Sequence, residues 1–556
     1  MKRLLILGVV ILAVIMLVPV SCGETGEPSP PPSSPETPEE PPPSEPATPS
    51  SAAEDLSAQI AAVDVYQTTA LTSLFRISEE LDQSQTDGSL YEGEWAELQA
   101  ELMERFTEWV DTREWRLDLR NLPPPSEGEI NWPAADSTLL EGADGRIEQY
   151  REGDATVLVV DSTGAPVADA VVSLDMLKHD FLFGGWANLK SSEFFAPSSA
   201  YRDALARLFN YVIIGNFWSV YEPERGQVNQ GYLQEDLMNK TRWAKDRGMT
   251  VMGHNLIYIA HSYSFFPMGP PGWVRQLSSA EVDDVLHGHV TSLVTTFSGL
   301  VDYWVALNEP TNTDLIEEPL RSWMMSLTPA GAEALTLEWA HAADPELKLI
   351  VNDWEWFPEE FYEVLEDVVA AGAPFDAIGF QSYMGDQRWT LKKTWDIFEL
   401  LKDFNIPLQL TELEVGSGNY TGSMQTTPGG EAIQAEYLSA FYTLLFSHPS
   451  TQAITYTWFS DLDVPTGAPG GLLREDMSPK PAYEQLMRLI HQDWWTNAEA
   501  TTNAQGEAVL RGFYGQYLLT VTIETETGLR LAFPEIVRTL IHLEAGQDNT
   551  FVVQIP

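Results

Sequence analysis

Tyr303-Trp-Val-Ala-Leu-Asn308-Glu309-Pro310 decides how the chain folds. An aromatic and aliphatic run that stops abruptly at Asn308 and Glu309 reads as a buried strand delivering one carboxyl group to its C-terminal end. A second run, Ile406 to Leu410, stops the same way at Thr411 and Glu412. Two strands far apart in sequence thus aim two carboxyls at one point, and paired carboxylates are what glycosidic bond cleavage needs. Glu309 is the candidate acid/base.

Outward from that stretch, short apolar runs recur with helix-length segments between them. They are Phe181 to Trp186, Tyr211 to Asn216, Thr250 to Leu256, Tyr303 to Glu309, Leu349 to Asp353, Ala377 to Gln381, Pro407 to Glu412 and Ala453 to Phe459. This rhythm predicts parallel strands with crossover helices, an α/β chain whose centre, residues 178–493, is a (β/α)8 TIM barrel. Active sites of that architecture lie at the C-terminal strand ends. Asn216, Asn308, Glu309, Asn352, Asp353, Gln381 and Glu412 are therefore expected to converge there.

The motifs in this order resemble glycoside hydrolase family 10, the retaining xylanase family. Phe209-Asn210 through Tyr221-Glu-Pro223-Glu-Arg-Gly-Gln227 is similar to its second strand and following loop, and Gly253-His254-Asn-Leu through His261 to its third. Trp304-Val-Ala-Leu-Asn308-Glu309 resembles the acid/base motif, and Leu410-Thr-Glu412-Leu-Glu-Val415 the nucleophile motif. Asn352-Asp353, Ile378-Gly-Phe-Gln381-Ser, Thr457-Trp458-Phe-Ser-Asp461 and Leu472-Leu through Pro479-Lys-Pro-Ala-Tyr483 fit in sequence. The resemblance spans roughly Phe181 to Leu486, and the ordered set matters more than any single motif.

It implies that Glu412 attacks the anomeric carbon while Glu309 protonates the departing oxygen, then serves as base. It further implies that Asn308 bonds the sugar 2-hydroxyl, that Gln381 orients Glu412, that Trp458 walls the glycone site, and that Asn216 and His261 bind the same sugars. Three departures stand out. Gly215 precedes Asn216 where family xylanases carry Glu, and the loop Phe217-Trp-Ser-Val-Tyr221 has no Lys. Tyr383 stands where the family has His, with a hydroxyl still able to donate to Glu412.

Other acids compete for these roles. Glu414, Glu355 and Glu222 are read as loop or structural carboxylates. His287-Gly-His289 lacks a Cys or carboxylate at ligand spacing and is read as part of a solvated helix, so no catalytic metal is expected. No phosphate loop or dinucleotide fingerprint appears, so no cofactor is expected.

Among 556 residues, 31 are basic and 82 acidic, a net charge of −51. That balance argues against a nucleic-acid partner, whose binding draws on clustered Lys and Arg. A neutral polysaccharide remains the substrate to expect, and nothing bears on oligomeric state. The flanks read as separate segments. Residues 1–21 carry Lys2, Arg3 and the apolar run Leu4 to Val18, an export signal. Cys22 is the single cysteine, placed as in a bacterial lipoprotein's lipid-attachment site. The expected location is therefore the outer face of a bacterial membrane, held by that lipid, or the medium.

Residues 22–53, dominated by Pro, Ser, Glu and Thr, form a stiff tether. Residues 54–120 read as a helical pair, with Leu71, Leu74, Ile77 and Leu81 on one stripe and Trp95, Leu98, Leu102, Phe106 and Trp109 on the other. Residues 121–143, holding Pro123 to Pro125, read as linker. Residues 144–177 and 494–556 have the short-strand texture of all-β modules, either one sandwich or two.

The leading expectation is a retaining endo-β-1,4-glycanase acting on xylan. Its rivals are the same chemistry on a glucan or mixed-linkage polymer, and a lipoprotein that captures glycan without cleaving it.

Overall fold

The computed structural model describes residues 130–260, 269–354, 358–385, 388–418, 427–464, 469–523 and 535–555, with positions 77, 98, 101, 102 and 105. The export signal, Cys22, the tether, most of the helical pair and His261 lie outside the described residues.

Strands β1 (Glu152–Val160) and β2 (Val171–His179) come first. The barrel follows: β3 (Leu182–Trp186), β4 (Tyr211–Gly215), β5 (Thr250–His254), β6 (Tyr303–Val305), β7 (Lys348–Asp353), β8 (Ala377–Tyr383), β9 (Leu408–Glu414) and β10 (Thr451–Tyr456). All neighbours pair in parallel, and β10 closes on β3. The (β/α)8 expectation holds.

Alternate side chains fill the interior: Tyr211 and Ile213, Tyr303 and Val305, with Met252, Ile350 and Ala377, form one apolar cluster. The opposite parity, including Val212, Trp304, Val351 and Ile378, packs with the surrounding helices. Both faces of each strand are dry, which is why these strands read as continuous apolar runs.

After the barrel come β11 (Asn497–Thr501), β12 (Glu507–Phe513), β13 (Gly515–Ile523), β14 (Glu535–Leu543) and β15 (Thr550–Gln554). They do not build a module of their own. One sheet runs β12-β1-β15 and the other β11-β2-β13-β14, so each contains strands from both sides of the barrel. Val157 and Val159 of one sheet share a buried cluster with Val172, Leu174 and Leu519 of the other. The alternative left open by the sequence resolves to one sandwich.

Arg151 fastens that sandwich to the base of the barrel. Its guanidinium donates to the carbonyls of Phe446, His448 and Thr451 at 2.6, 2.6 and 2.7 Å and lies against the rings of Phe181 and Phe446.

The segment read as linker is partly structured, which corrects that expectation. Ala134–Glu141 is a helix, and buried Asp136 accepts from the amides of Leu391 and Lys392 at 3.1 and 2.9 Å. Those amides are among the unpaired donors that open the helix Leu391–Leu401, a site that favours a carboxylate. Trp132 Nε1 donates to Glu436 Oε1 at 3.2 Å. The stretch assigned to the start of a β module is likewise helical over Ala143–Tyr150. Local composition reads as linker because the partners that order the segment lie some 250 to 300 residues away.

Candidate active site

Strand parity decides which side chains reach the barrel mouth. His254 continues the inward face of Met252, Asn352 that of Ile350, and Gln381 and Tyr383 that of Ala377. On β9 the inward residue is Gln409, whose Oε1 accepts from the Tyr211 hydroxyl at 3.0 Å. Strict alternation from Gln409 would turn Glu412 outward with Leu408 and Leu410. Instead the register slips against both neighbours: Phe380 pairs Leu410 but Gln381 pairs Glu412, and Ile454 pairs Leu410 but Tyr456 pairs Leu413. This bulge inserts one residue, so that Thr411 and Glu412 both face the mouth.

Glu309 arrives differently. After β6 the ladder continues irregularly, with Ala306 N donating to Ile350 O at 3.1 Å and Glu309 N to Asn352 O at 3.0 Å. Glu309 then adopts φ +57°, a left-handed backbone that costs a non-glycine residue about 1–3 kcal/mol. The turn it opens is closed by Asn312 N donating to Glu309 O at 3.0 Å.

Two amides link the carboxyls. Asn308 Nδ2 donates to Glu309 Oε1 at 3.3 Å; Asn352 Nδ2 donates to Asn308 Oδ1 at 2.7 Å and to Glu412 Oε1 at 3.4 Å. Thr411 Oγ1 donates to Asn352 Oδ1 at 2.6 Å and sets the orientation of that amide. Glu309 receives three more donors: Gln381 Nε2 at 3.1 Å on Oε1, and Asn312 Nδ2 at 3.1 Å and the Tyr258 hydroxyl at 3.2 Å on Oε2. Glu412, buried at 3% exposure, accepts from the Tyr383 hydroxyl. His254 Nε2 lies 3.0 Å from Glu412 Oε1, a charge-pair distance at an angle poor for a hydrogen bond.

Loss of water raises the pKa of the Glu309 carboxyl, and the charge of Glu412 adds to this, against the pull of Gln381, Asn312 and Tyr258. The direction suits a proton donor. Burial also pushes Asp353 up to about 7 and Glu414 up to about 7.

Five expected site residues, Asn308, Glu309, Gln381, Tyr383 and Glu412, therefore share one network. Gln381 is placed otherwise than expected. Gln381 donates to Glu309 rather than orienting Glu412, because the β9 bulge brings the Tyr383 hydroxyl to Glu412 instead. Asn308 turns its amide to Glu309 and Asn352. Asn216 is buried and ties the ends of β4 and β5, its amide nitrogens donating to His254 O at 2.6 Å and Asn255 O at 3.2 Å. Trp458 is half-buried and hydrogen-bonds the Glu414 carboxyl, which belongs to β9 rather than to a loop. Glu222 accepts from Trp218 Nε1 and Gly226 N within its loop, as expected, and Glu355 lies outside the described residues.

His289 corrects the reading of a solvated helix: it is buried, stacked on Trp218 at 4.2 Å, with Nε2 3.1 Å from Leu256 O. The residues missed by sequence reasoning are His254, Tyr258, Asn312 and the role of Asn352. His254 and Asn352 sat inside quoted strand-end motifs, and their inward parity was the available signal. Tyr258 and Asn312 follow strand ends in loops, where no period marks direction.

A closed parallel barrel with two linked carboxyls at its C-terminal mouth defines a class of glycosidic hydrolases by architecture and site together. Residues 174–489 match the family model described as glycosyl hydrolase family 10, and the chain belongs to that family.

Among curated proteins it is similar to the anti-sigma-I factor RsgI6 of Acetivibrio thermocellus, 26% identical over 72% of this chain and 48% of the relative. It is also similar to endo-1,4-beta-xylanase 3 of Arabidopsis thaliana, 25% identical over 64% of this chain and 43% of the relative. Endo-1,4-beta-xylanase B of Thermotoga neapolitana is 27% identical over 52% of this chain and 84% of its own. The chain spans about half the length of the first two relatives.

Proposed function

We infer that the barrel is a retaining endo-β-1,4-xylanase. The observation that carries this reading is the Asn308–Asn352 amide bridge that joins Glu309 and Glu412 in one network, while each carboxyl keeps its own donors. Family membership and the xylanases among its relatives support xylan as the substrate.

In the first step a Glu412 oxygen bonds the anomeric carbon as the glycosidic C–O bond breaks, and the Glu309 proton passes to the leaving oxygen. Ester formation removes the charge on Glu412, so its repulsion, which adds to burial in holding the proton on Glu309, falls away. Glu309 then takes a proton from the water that bonds the anomeric carbon and displaces Glu412. Two inversions give net retention. Tyr383 and His254 hold Glu412 in line for attack.

Asn216 and Trp458 are assigned to the sugar-binding surface, as is His261 by resemblance. Where family xylanases carry Glu, a Cβ on Gly215 would meet the Trp186 and Phe217 rings at 3.3 and 3.6 Å. An aromatic surface stands there in place of a polar grip. We assign export and lipid attachment at Cys22 to the same protein, on its N-terminal sequence alone. Replacing Cys22 with Ala and following incorporation of labelled fatty acid tests that assignment.

The catalytic reading is tested by incubating the purified protein with xylan, a mixed-linkage glucan and cellulose, and observing the product anomer by proton NMR. The β-anomer released first from xylan is expected; the α-anomer would sink the retaining mechanism. A second reading, capture without cleavage, draws on Gly215 and on the relative named as an anti-sigma factor. Tight binding of xylan with no turnover would favour it.

A further inference from the structure

Asp353 ends β7 with opposite parity to Asn352, so it faces away from the mouth, behind the turn that carries Glu309. It is completely buried. Its Oδ2 accepts from Thr311 N at 2.9 Å, and its Oδ1 accepts from Thr311 Oγ1 at 2.9 Å and Trp354 N at 2.8 Å. Thr311 lies inside the turn Glu309–Asn312, two residues from the left-handed Glu309 and beside Asn312, whose side chain meets Glu309 Oε2.

A strained backbone persists only when its surroundings over-determine it. Two hydrogen bonds from a single residue to one carboxylate, anchored on a barrel strand, supply that constraint. Their acceptor is a separate group from those contacting the acid/base carboxyl itself.

We propose that Asp353 is a positioning residue for the reaction: by holding both the amide and the hydroxyl of Thr311, it keeps Glu309 on its left-handed backbone and aims its carboxyl at the glycosidic oxygen. The inference rests on the reading of Glu309 as acid/base. Asp353 touches no substrate in this role. Facing it are the carboxyls of Glu309 and of Glu333, a fully buried residue of the helix Pro329–Ala343. Facing Glu309 from other elements are Glu412 and Tyr258.

A mis-aimed acid slows the glycosylation step, read as kcat/KM, only where the leaving oxygen needs its proton, whereas deglycosylation, in which Glu309 is the base, slows for both substrates. The test therefore compares two aryl xylobiosides, one with a phenol leaving group and one with 2,4-dinitrophenol, in the unaltered protein, Thr311→Val, Thr311→Ser and Asp353→Asn. Thr311→Val removes one hydrogen bond at a half-buried position and leaves the strand intact.

It is expected to lower kcat on the phenol substrate about tenfold with KM unchanged, to leave glycosylation by the dinitrophenyl substrate within about twofold, and to be rescued by Thr311→Ser. Asp353→Asn is expected to lose on the order of a hundredfold in glycosylation by the phenol substrate alone. Equal losses of glycosylation on both substrates, or a Thr311→Val protein indistinguishable from the unaltered one, would overturn the positioning role while leaving the acid/base reading intact. An unaltered protein that cleaves neither substrate would overturn both.

Discussion

At the C-terminal ends of the strands, Asp353 and Glu414 are carboxyls that burial pushes up to about 7. At the opposite end, where the sandwich meets the barrel, His179 is an imidazole that burial pushes down to about 3, and His448 and His491 are pushed down to about 4. One cause acts in both places, since a dry environment penalises whichever form is charged. The outcomes differ because the surroundings differ. His179 is ringed by Phe183, Phe446, Trp495 and Phe513, and its neutral ring simply packs. Glu309 sits among directed donors at the barrel mouth, within one network with Glu412, so its suppressed ionisation becomes a proton available for transfer. Burial alone makes a filler, and burial with aimed donors makes a site.

That contrast breaks first at Glu412. Glu412→Ala is expected to lower kcat on xylan by about ten-thousandfold or more, because no covalent step remains. Glu309→Ala is expected to cost about a hundred- to ten-thousandfold. The activity of the unaltered protein should fall as pH rises through the raised pKa of Glu309, since its protonated form is the working one. In Glu309→Ala that basic limb should vanish on the phenol substrate, whose leaving oxygen needs the proton, a pH–rate profile being the measurement. Tyr383→Phe removes one hydrogen bond to the Glu412 carboxylate, and an expected ten- to hundredfold drop in kcat follows from the usual strength of such bonds, about 1.5–3 kcal/mol. A profile unchanged by that substitution would mean that His254 and Asn352 suffice to hold the nucleophile.

The barrel was legible because its strands are dry on both faces, and the runs ending at Glu309 and Glu412 announced both carboxyls. What direction each polar group takes was less so. The β9 bulge that turns Glu412 inward leaves no mark in a run whose every residue is buried, so the sequence does not show that Gln381 meets Glu309. His254 and Asn352 were legible as members of strand-end motifs but not as neighbours of Glu412, since contact across the mouth depends on stagger between strands. The helix Ala134–Glu141 was missed because Asp136 finds its partners on a helix that begins at Leu391. The single sandwich could not be inferred from two β-rich ends without knowing which strands pair across the barrel.

The smallest expected effects test the two ends against each other through stability. A carboxyl whose folded pKa is raised contributes stability at low pH that is lost as pH climbs toward the folded value; a buried imidazole whose folded pKa is lowered contributes nothing above about 6.5 and costs stability as pH falls below it. Between pH 7 and 5.5, Asp353 should therefore add about 1.6 kcal/mol on acidification, and Asp353→Asn should lose that gain. Between pH 6.5 and 5.5, His179 should cost about 1 kcal/mol, and His179→Leu should escape it. Urea unfolding of each variant beside the unaltered protein at three pH values reads both differences, with packing changes cancelling because they do not vary with pH. Opposite signs are required. If both variants become relatively more stable on acidification, Asp353 is held ionised by its three donors, and its likeness to Glu309 is lost.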